Sequence, residues 1–105
     1  MGGAIFETAV VAEIVKALVH RGIEPQVYFW RTAAGHEVDV VVEADGALIP
    51  IEVKKSATPR PEMAASITAF RKDLGRRAAP GYVVHTGATR LPLAKDVMAL
   101  PFGEL

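Results

Sequence analysis

The chain has 105 residues, half of them hydrophobic, with 12 Lys plus Arg balanced by 12 Asp plus Glu and no cysteine. That length suits one domain around a single core and excludes a complete nucleotide-driven motor. The zero formal net charge excludes a global field drawing the protein to nucleic acid or an anionic membrane, and the lack of cysteine excludes disulfides, thiolate zinc sites and cysteine nucleophiles.

Residues 4–21 read as an amphipathic helix ended by Gly22, because at about 100° per residue Val11, Ile14 and Leu18 share one line and Glu13, Lys16 and His20 the opposite one. Glu13 and Lys16 also interrupt the stretch AVVAEIVKALVH, which falls short of the roughly 20 apolar residues of a membrane span and lacks the features of a signal peptide. A soluble, cytoplasmic protein with no membrane partner is expected. Met1-Gly2-Gly3 reads as a start or as a boundary cut from something longer. Glu7 sits four residues before Val11, on the apolar stripe. The helix dipole favours a first-turn glutamate, which explains its presence but not its face.

Residues 26–31 (QVYFWR) and the alternating run HEVDVVVE at 36–43 read as strands, Asp45-Gly46 as a two-residue hairpin turn, and LIPIEVK at 48–54 as the third strand. After a loop, Met63, Ile67, Phe70 and Leu74 give a second amphipathic helix over 62–74, stopped by Gly75. Tyr82-Val83-Val84-His85 is a short buried-type strand, and the remainder holds a short final strand. The order helix, three-strand meander, helix, strand specifies an α/β domain with a mixed central sheet flanked by helices.

With Asp45 and Gly46 as the loop residues, Asp39 falls opposite Glu52 and Glu37 opposite Lys54. Asp39 and Glu52 are expected as a close non-hydrogen-bonded pair, about 4.5 Å apart at Cα. Two carboxylates so placed repel. A hard divalent cation, Mg or Mn, compensates them, since such ions take oxygen ligands and are commonly held by one or two carboxylates plus waters and phosphates. Lys54 projects to the same face two residues on, where it suits a nucleophilic water or a charge developing on a phosphate oxygen. The plain alternative is a solvated face whose acids and lysine neutralise each other. Pro50, opposite Val41, costs this hairpin no hydrogen bond but weakens pairing with a strand on its other side.

Asp39, then Glu52-Val53-Lys54 on the next strand, after a helix carrying Glu7, resembles the core of the PD-(D/E)XK nuclease superfamily. The resemblance implies a restriction-endonuclease-like core. The strings FETAVVAEIVK, YFWRTAAGHEVDVVVE and IEVKKSATP closely resemble the C-terminal domain of unknown function found in many prokaryotic AAA-type ATPases, over residues 2 to about 102. Metal ligation by Asp39 and Glu52, a catalytic lysine at Lys54 and an accessory acid at Glu7 are what the superfamily resemblance implies. Val38 stands where the motif's name has proline. Glu37 is either a further ligand or the partner of Lys54. His36 is the histidine nearest the carboxylates in sequence, with a turn role as its plain reading. No Gly-x-x-x-x-Gly-Lys-Ser/Thr phosphate loop is present, so residues 1–105 resemble the detached C-terminal module of a longer ATPase, with the ATPase domain as partner in cis.

Lys54, Lys55 and Arg60 follow the site, and Arg71, Lys72, Arg76 and Arg77 crowd the end of the second helix. They could track a DNA backbone; the plain alternative for the second cluster is that a helix C-terminus favours cations. Tyr28, Phe29 and Trp30 are read as core or helix-packing residues in preference to a base-stacking platform. Two functions compete. One is a Mg-dependent endo- or exodeoxyribonuclease, for which the complete acid, acid, lysine set speaks. The other is a non-catalytic nucleic-acid- or protein-binding regulatory domain of the ATPase, for which the missing basic footprint speaks.

Overall fold

The valine-rich strand in the middle of the chain is apolar on both faces, and it lies inside a six-stranded sheet with a helix on each side. The computed structural model describes residues 3–105; Met1 and Gly2 lie outside the described residues. Helix α1 spans Gly3–His20, followed by strands β1 (Gln26–Arg31), β2 (Glu37–Ala44) and β3 (Ala47–Lys54). Helix α2 (Ala65–Leu74) leads to β4 (Gly81–His85), β5 (Leu91–Ala94) and β6 (Val97–Pro101). The sheet order is β1-β2-β3-β4-β6-β5. It is antiparallel from β1 to β3, parallel from β3 through β4 to β6, and antiparallel again between β6 and β5. This is the predicted mixed α/β architecture, compatible with a restriction-endonuclease-like fold.

Phe6 and Val10 of α1 pack on Val40, Val42, Ile51 and Val84. On the other face Phe70 of α2 packs with Val38, Val41, Leu48 and Ala78, while Ile67 joins Val83, Val97 and Ala99. Trp30 meets Phe70 edge-on with ring centroids 5.2 Å apart, an arrangement that adds about 0.5–1.5 kcal/mol to simple burial. Helix α1 ends as predicted at Gly22, whose φ of 79° lets Ile23 N–H reach the Leu18 carbonyl at 2.9 Å. Both Asp45 (φ 52°) and Gly46 (φ 81°) are left-handed, as the tight hairpin requires. Among the described residues no helix is long and apolar enough to cross a membrane.

Two departures from the sequence expectation have local causes. The second helix begins as a 3₁₀ turn over Pro61–Ala64 before α2 proper. The tail holds two strands where one is predicted, β5 and β6, joined at Lys95-Asp96 with only Asp96 left-handed (φ 59°). That dipeptide lacks the glycine by which such turns are recognised. Pro50 behaves as expected, since parallel pairing of β3 with β4 starts one residue later, at Ile51 opposite Tyr82.

Where β4 begins, the backbone passes so close to its neighbours that a Cβ on Gly81 would stand 2.5 Å from Ile67 Cγ2 and 2.9 Å from the Pro50 carbonyl oxygen. Gly81→Ala should therefore cost about 1–3 kcal/mol by overpacking, seen as a lower urea midpoint at unchanged slope. A loss below about 0.5 kcal/mol would show that α2 gives way freely.

Candidate functional site

Strands β2 and β3 pair in the predicted register from Ala44 opposite Ala47 to Val40 opposite Ile51. One further step would oppose Asp39 and Glu52, and there the ladder stops. Across the other edge of β2, the two steps from Tyr28 to Trp30 on β1 are met by three steps from Val41 to Val38. Strand β2 thus carries one extra residue at Asp39–Val40. The packing agrees: Val40 and Val42 face the α1 layer while Val38 and Val41 face the α2 layer, an alternation broken once, as a bulge breaks it. Asp39 has a Cα partner on neither neighbouring strand.

Side chains take over where the ladder ends. Asp39 N–H donates to Glu52 Oε1 at 3.0 Å, and Val53 N–H donates to Asp39 Oδ2 at 2.9 Å. Lys54 Nζ lies 3.5 Å from Glu52 Oε2. The repulsion expected of a bare carboxylate pair is thus relieved in part by two backbone donors and an ammonium. Lys54 is 41% exposed at its side chain whereas Glu52 is 6% exposed there, so the lysine stands at the mouth and the glutamate at the floor.

Burial, and then the neighbouring Asp39 charge, push the Glu52 carboxyl from the usual 4.5 up to about 7, against the opposing pull of the Asp39 N–H and Lys54. Glu7, at the start of α1, is also raised, by partial burial first and Asp39 second. Asp39 is therefore the common neighbour of both glutamates. Among the described residues no group of three or more His, Cys, Asp or Glu side chains is close enough together to hold a metal ion. Glu7 accordingly stands beside the Asp39 and Glu52 pair without merging with it. Each carboxylate of that pair keeps one oxygen that no backbone N–H occupies, Glu52's being the one beside Lys54 Nζ, and these are the two hard donors that could hold an ion completed by water.

The remaining candidates fall in different places. Glu37 pairs with Arg31 of β1, Nε to Oε1 at 2.9 Å, and not with Lys54. His36 is in the exposed turn before β2, where its N–H donates to Thr32 Oγ1 at 3.1 Å. Lys55 and Arg60 are exposed in the loop after β3. Arg71, Lys72, Arg76 and Arg77 lie at the opposite end of the sheet: α2 is the crossover returning the chain from the end of β3 to the start of β4, so its C-terminus is carried away from Lys54. Arg71 binds Asp96 at 3.0 Å and the Ala79 carbonyl at 3.1 Å, and Arg77 lies 3.5 Å from Glu43. One continuous basic track through both clusters is not formed. Nor are all three aromatics of β1 in the core: Trp30 packs on Phe70, but Tyr28 and Phe29 are 48% and 62% exposed, because β1 is an edge strand and only Trp30 reaches the α2 layer.

A feature that composition and spacing did not reveal supports the lysine. His85, fully buried, lies opposite Lys54 in the β3–β4 pairing. Its Nδ1 accepts Gly87 N–H at 3.0 Å, which leaves Nε2 to donate to the Thr89 carbonyl at 2.8 Å. Thr86 N–H donates to the Ser56 carbonyl at 3.0 Å, and Gly87 passes so near Ala57 that it has no room for a Cβ. The loop after β4 is thereby fastened to the segment that follows Lys54. A histidine closing an apolar strand immediately before Thr-Gly is the sequence signal for it.

The family model described as Domain of unknown function (DUF4143) matches residues 2–105. Uncharacterized proteins of Mycobacterium tuberculosis and Mycobacterium bovis are each 28% identical over 103 residues, 98% of this chain and 22% of the relative. The chain thus spans about a fifth (22%) of the length of these relatives. A UPF0102 protein of Roseiflexus castenholzii is 39% identical over 88 residues, covering 82% of this chain and 70% of that protein. No solved structure matches the chain.

Proposed function

The chain belongs to the DUF4143 family, and from that premise we propose that it is a nuclease-like domain whose divalent-metal site is suited to phosphodiester hydrolysis in DNA. The observation that carries this reading is the meeting of Asp39, Glu52 and Lys54 where β2 and β3 part. The mixed six-stranded sheet flanked by helices, compatible with a restriction-endonuclease-like fold, supports the same class. Asp39 and Glu52 would hold magnesium or manganese, which supplies Lewis-acid activation of water and of the phosphate when bound. Lys54, at the mouth, positions the attacking water or meets the charge that develops on a phosphate oxygen. Glu7 serves as an accessory acid beside Asp39. In the longer protein we place the domain as the C-terminal module of an AAA-type ATPase, on the strength of the three strings that resemble such modules.

A second reading, a non-catalytic nucleic-acid- or protein-binding domain that regulates the ATPase, is favoured by the charge layout. Formal net charge is zero, and Arg71 and Arg77 are spent on Asp96 and Glu43 at the far end of the sheet.

Metal linkage tests the site. Magnesium or manganese should raise the melting temperature, following RT ln(1 + [L]/Kd), about 2.7 kcal/mol at a hundredfold excess over Kd. Asp39→Asn should weaken this response while leaving the metal-free protein as stable or more so, since the amide oxygen can still accept the Val53 N–H. A loss of about 2–3 kcal/mol without metal would make Asp39 a structural acceptor instead.

A further inference from the structure

Phe29 is 62% exposed although it occupies the β1 position facing the Asp39–Val40 bulge. Its neighbours are engaged: Trp30 packs on Phe70, and the Tyr28 hydroxyl donates to Glu43 Oε1 at 3.3 Å. Phe29 instead carries the Arg31 guanidinium 5.3 Å from its ring centroid, and Glu37 holds that guanidinium at 2.9 Å. A flat ring and a cation held by Glu37 therefore stand on the strand next to the Asp39–Val40 bulge. Strand directions bring Arg31, Lys54 and Lys55 to one end of the sheet. Lys54 is half-exposed and Lys55 exposed, and Lys55 has no ion pair among the described residues. A phosphate chain crossing that end would meet a cation before Asp39 and two cations after Glu52.

Resting on the nuclease-like reading, we infer that the site takes single-stranded DNA, with one unstacked base lying on Phe29 and the phosphates running on toward Lys54 and Lys55. A continuous duplex is disfavoured on two counts. Its bases are already stacked on one another and present no face to the ring, and a tight grip on it needs many phosphate contacts, whereas Arg71 and Arg77 lie at the far end of the sheet, out of reach of this one. An unpaired strand needs only a stacking surface and a short basic groove.

Fluorescence anisotropy of a labelled single strand of about 12 nucleotides, in EDTA so that no cleavage intervenes, tests this on the whole chain. Phe29→Ala should weaken binding about 5- to 150-fold, the range for one lost stacking contact. Phe29→Tyr should bind as the parent does, and a hairpin duplex should bind more weakly and respond to neither change. Equal affinity of the parent and Phe29→Ala for the single strand overturns the inference. So does a change in sedimentation of Phe29→Ala with unchanged DNA affinity, which would make β1 a protein-docking edge. Cleavage with manganese, measured separately, keeps the two readings apart. Lys54-dependent hydrolysis with the same KM for a single strand in Phe29→Ala overturns the platform and leaves the hydrolase. Phe29-dependent binding with no hydrolysis of any DNA upholds the platform and sinks the hydrolase.

Discussion

Replacing Lys54 with alanine is expected to lower magnesium- or manganese-dependent DNA hydrolysis by about 10²–10³-fold, the usual effect of removing one preorganised donor from a developing charge, while the metal-induced rise in melting temperature survives. The two effects separate because the ammonium lies 3.5 Å from Glu52 Oε2 as a counter-charge and is not itself a ligand. The backbone at this position does not depend on the side chain. It is paired with His85 on β4, and the Lys54 carbonyl accepts Ser56 N–H at 2.8 Å. Glu52→Gln should abolish cleavage and the metal response together. Unchanged cleavage by Lys54→Ala, or loss of metal binding along with cleavage, would remove Lys54 from the catalytic role.

The second large effect is a stability profile set by Glu52. Its carboxyl titrates near 7 in the folded protein against an ordinary value of 4.5, so between those values the folded chain holds a proton that the unfolded chain has released. Stability must then fall as pH rises through that window, and the whole penalty is present above about pH 7. A shift of this size corresponds to at most about 3 kcal/mol. Glu52→Gln should be more stable than the parent at pH 8, equal to it below pH 4.5, and flatter between. Urea titrations at a series of pH values, without metal, measure this directly. A glutamine variant less stable than the parent at pH 8 would show that the charged carboxylate is needed to accept the Asp39 N–H. Protons and metal also compete for the same oxygens, so the metal response should strengthen from pH 6 to 8.

How far the sequence could be read depended on where its signals were local. Asp45-Gly46 specified the turn and thereby every β2–β3 pair down to Val40 opposite Ile51, and Gly22 and Gly75 marked the ends of α1 and α2. The bulge was not legible: Val38, Val40, Val41 and Val42 are all buried, so the strand is apolar on both faces and no alternation betrays a slipped residue. For the same reason the Asp39 and Glu52 carboxylates were expected to face each other bare, whereas each accepts a backbone N–H. The positions of Phe29 and of the Arg71–Arg77 cluster depend on which strand lies at the sheet edge and where the crossover helix leads. Those are properties of topology, and residue types within a segment do not carry them.

The two amides that close the gap between β2 and β3 have a consequence for observation. Asp39 N–H and Val53 N–H belong to no backbone ladder, and each donates to one oxygen of a carboxylate whose other oxygen would meet a cation. Their nitrogen and proton resonances should act as a built-in electrode. Titrating Glu52 should move the Asp39 signal most, and a diamagnetic ion drawing density from either carboxylate should shift both amides and hasten their solvent exchange. Occupancy of the site can thus be followed in the resting protein, without substrate and without a turnover assay.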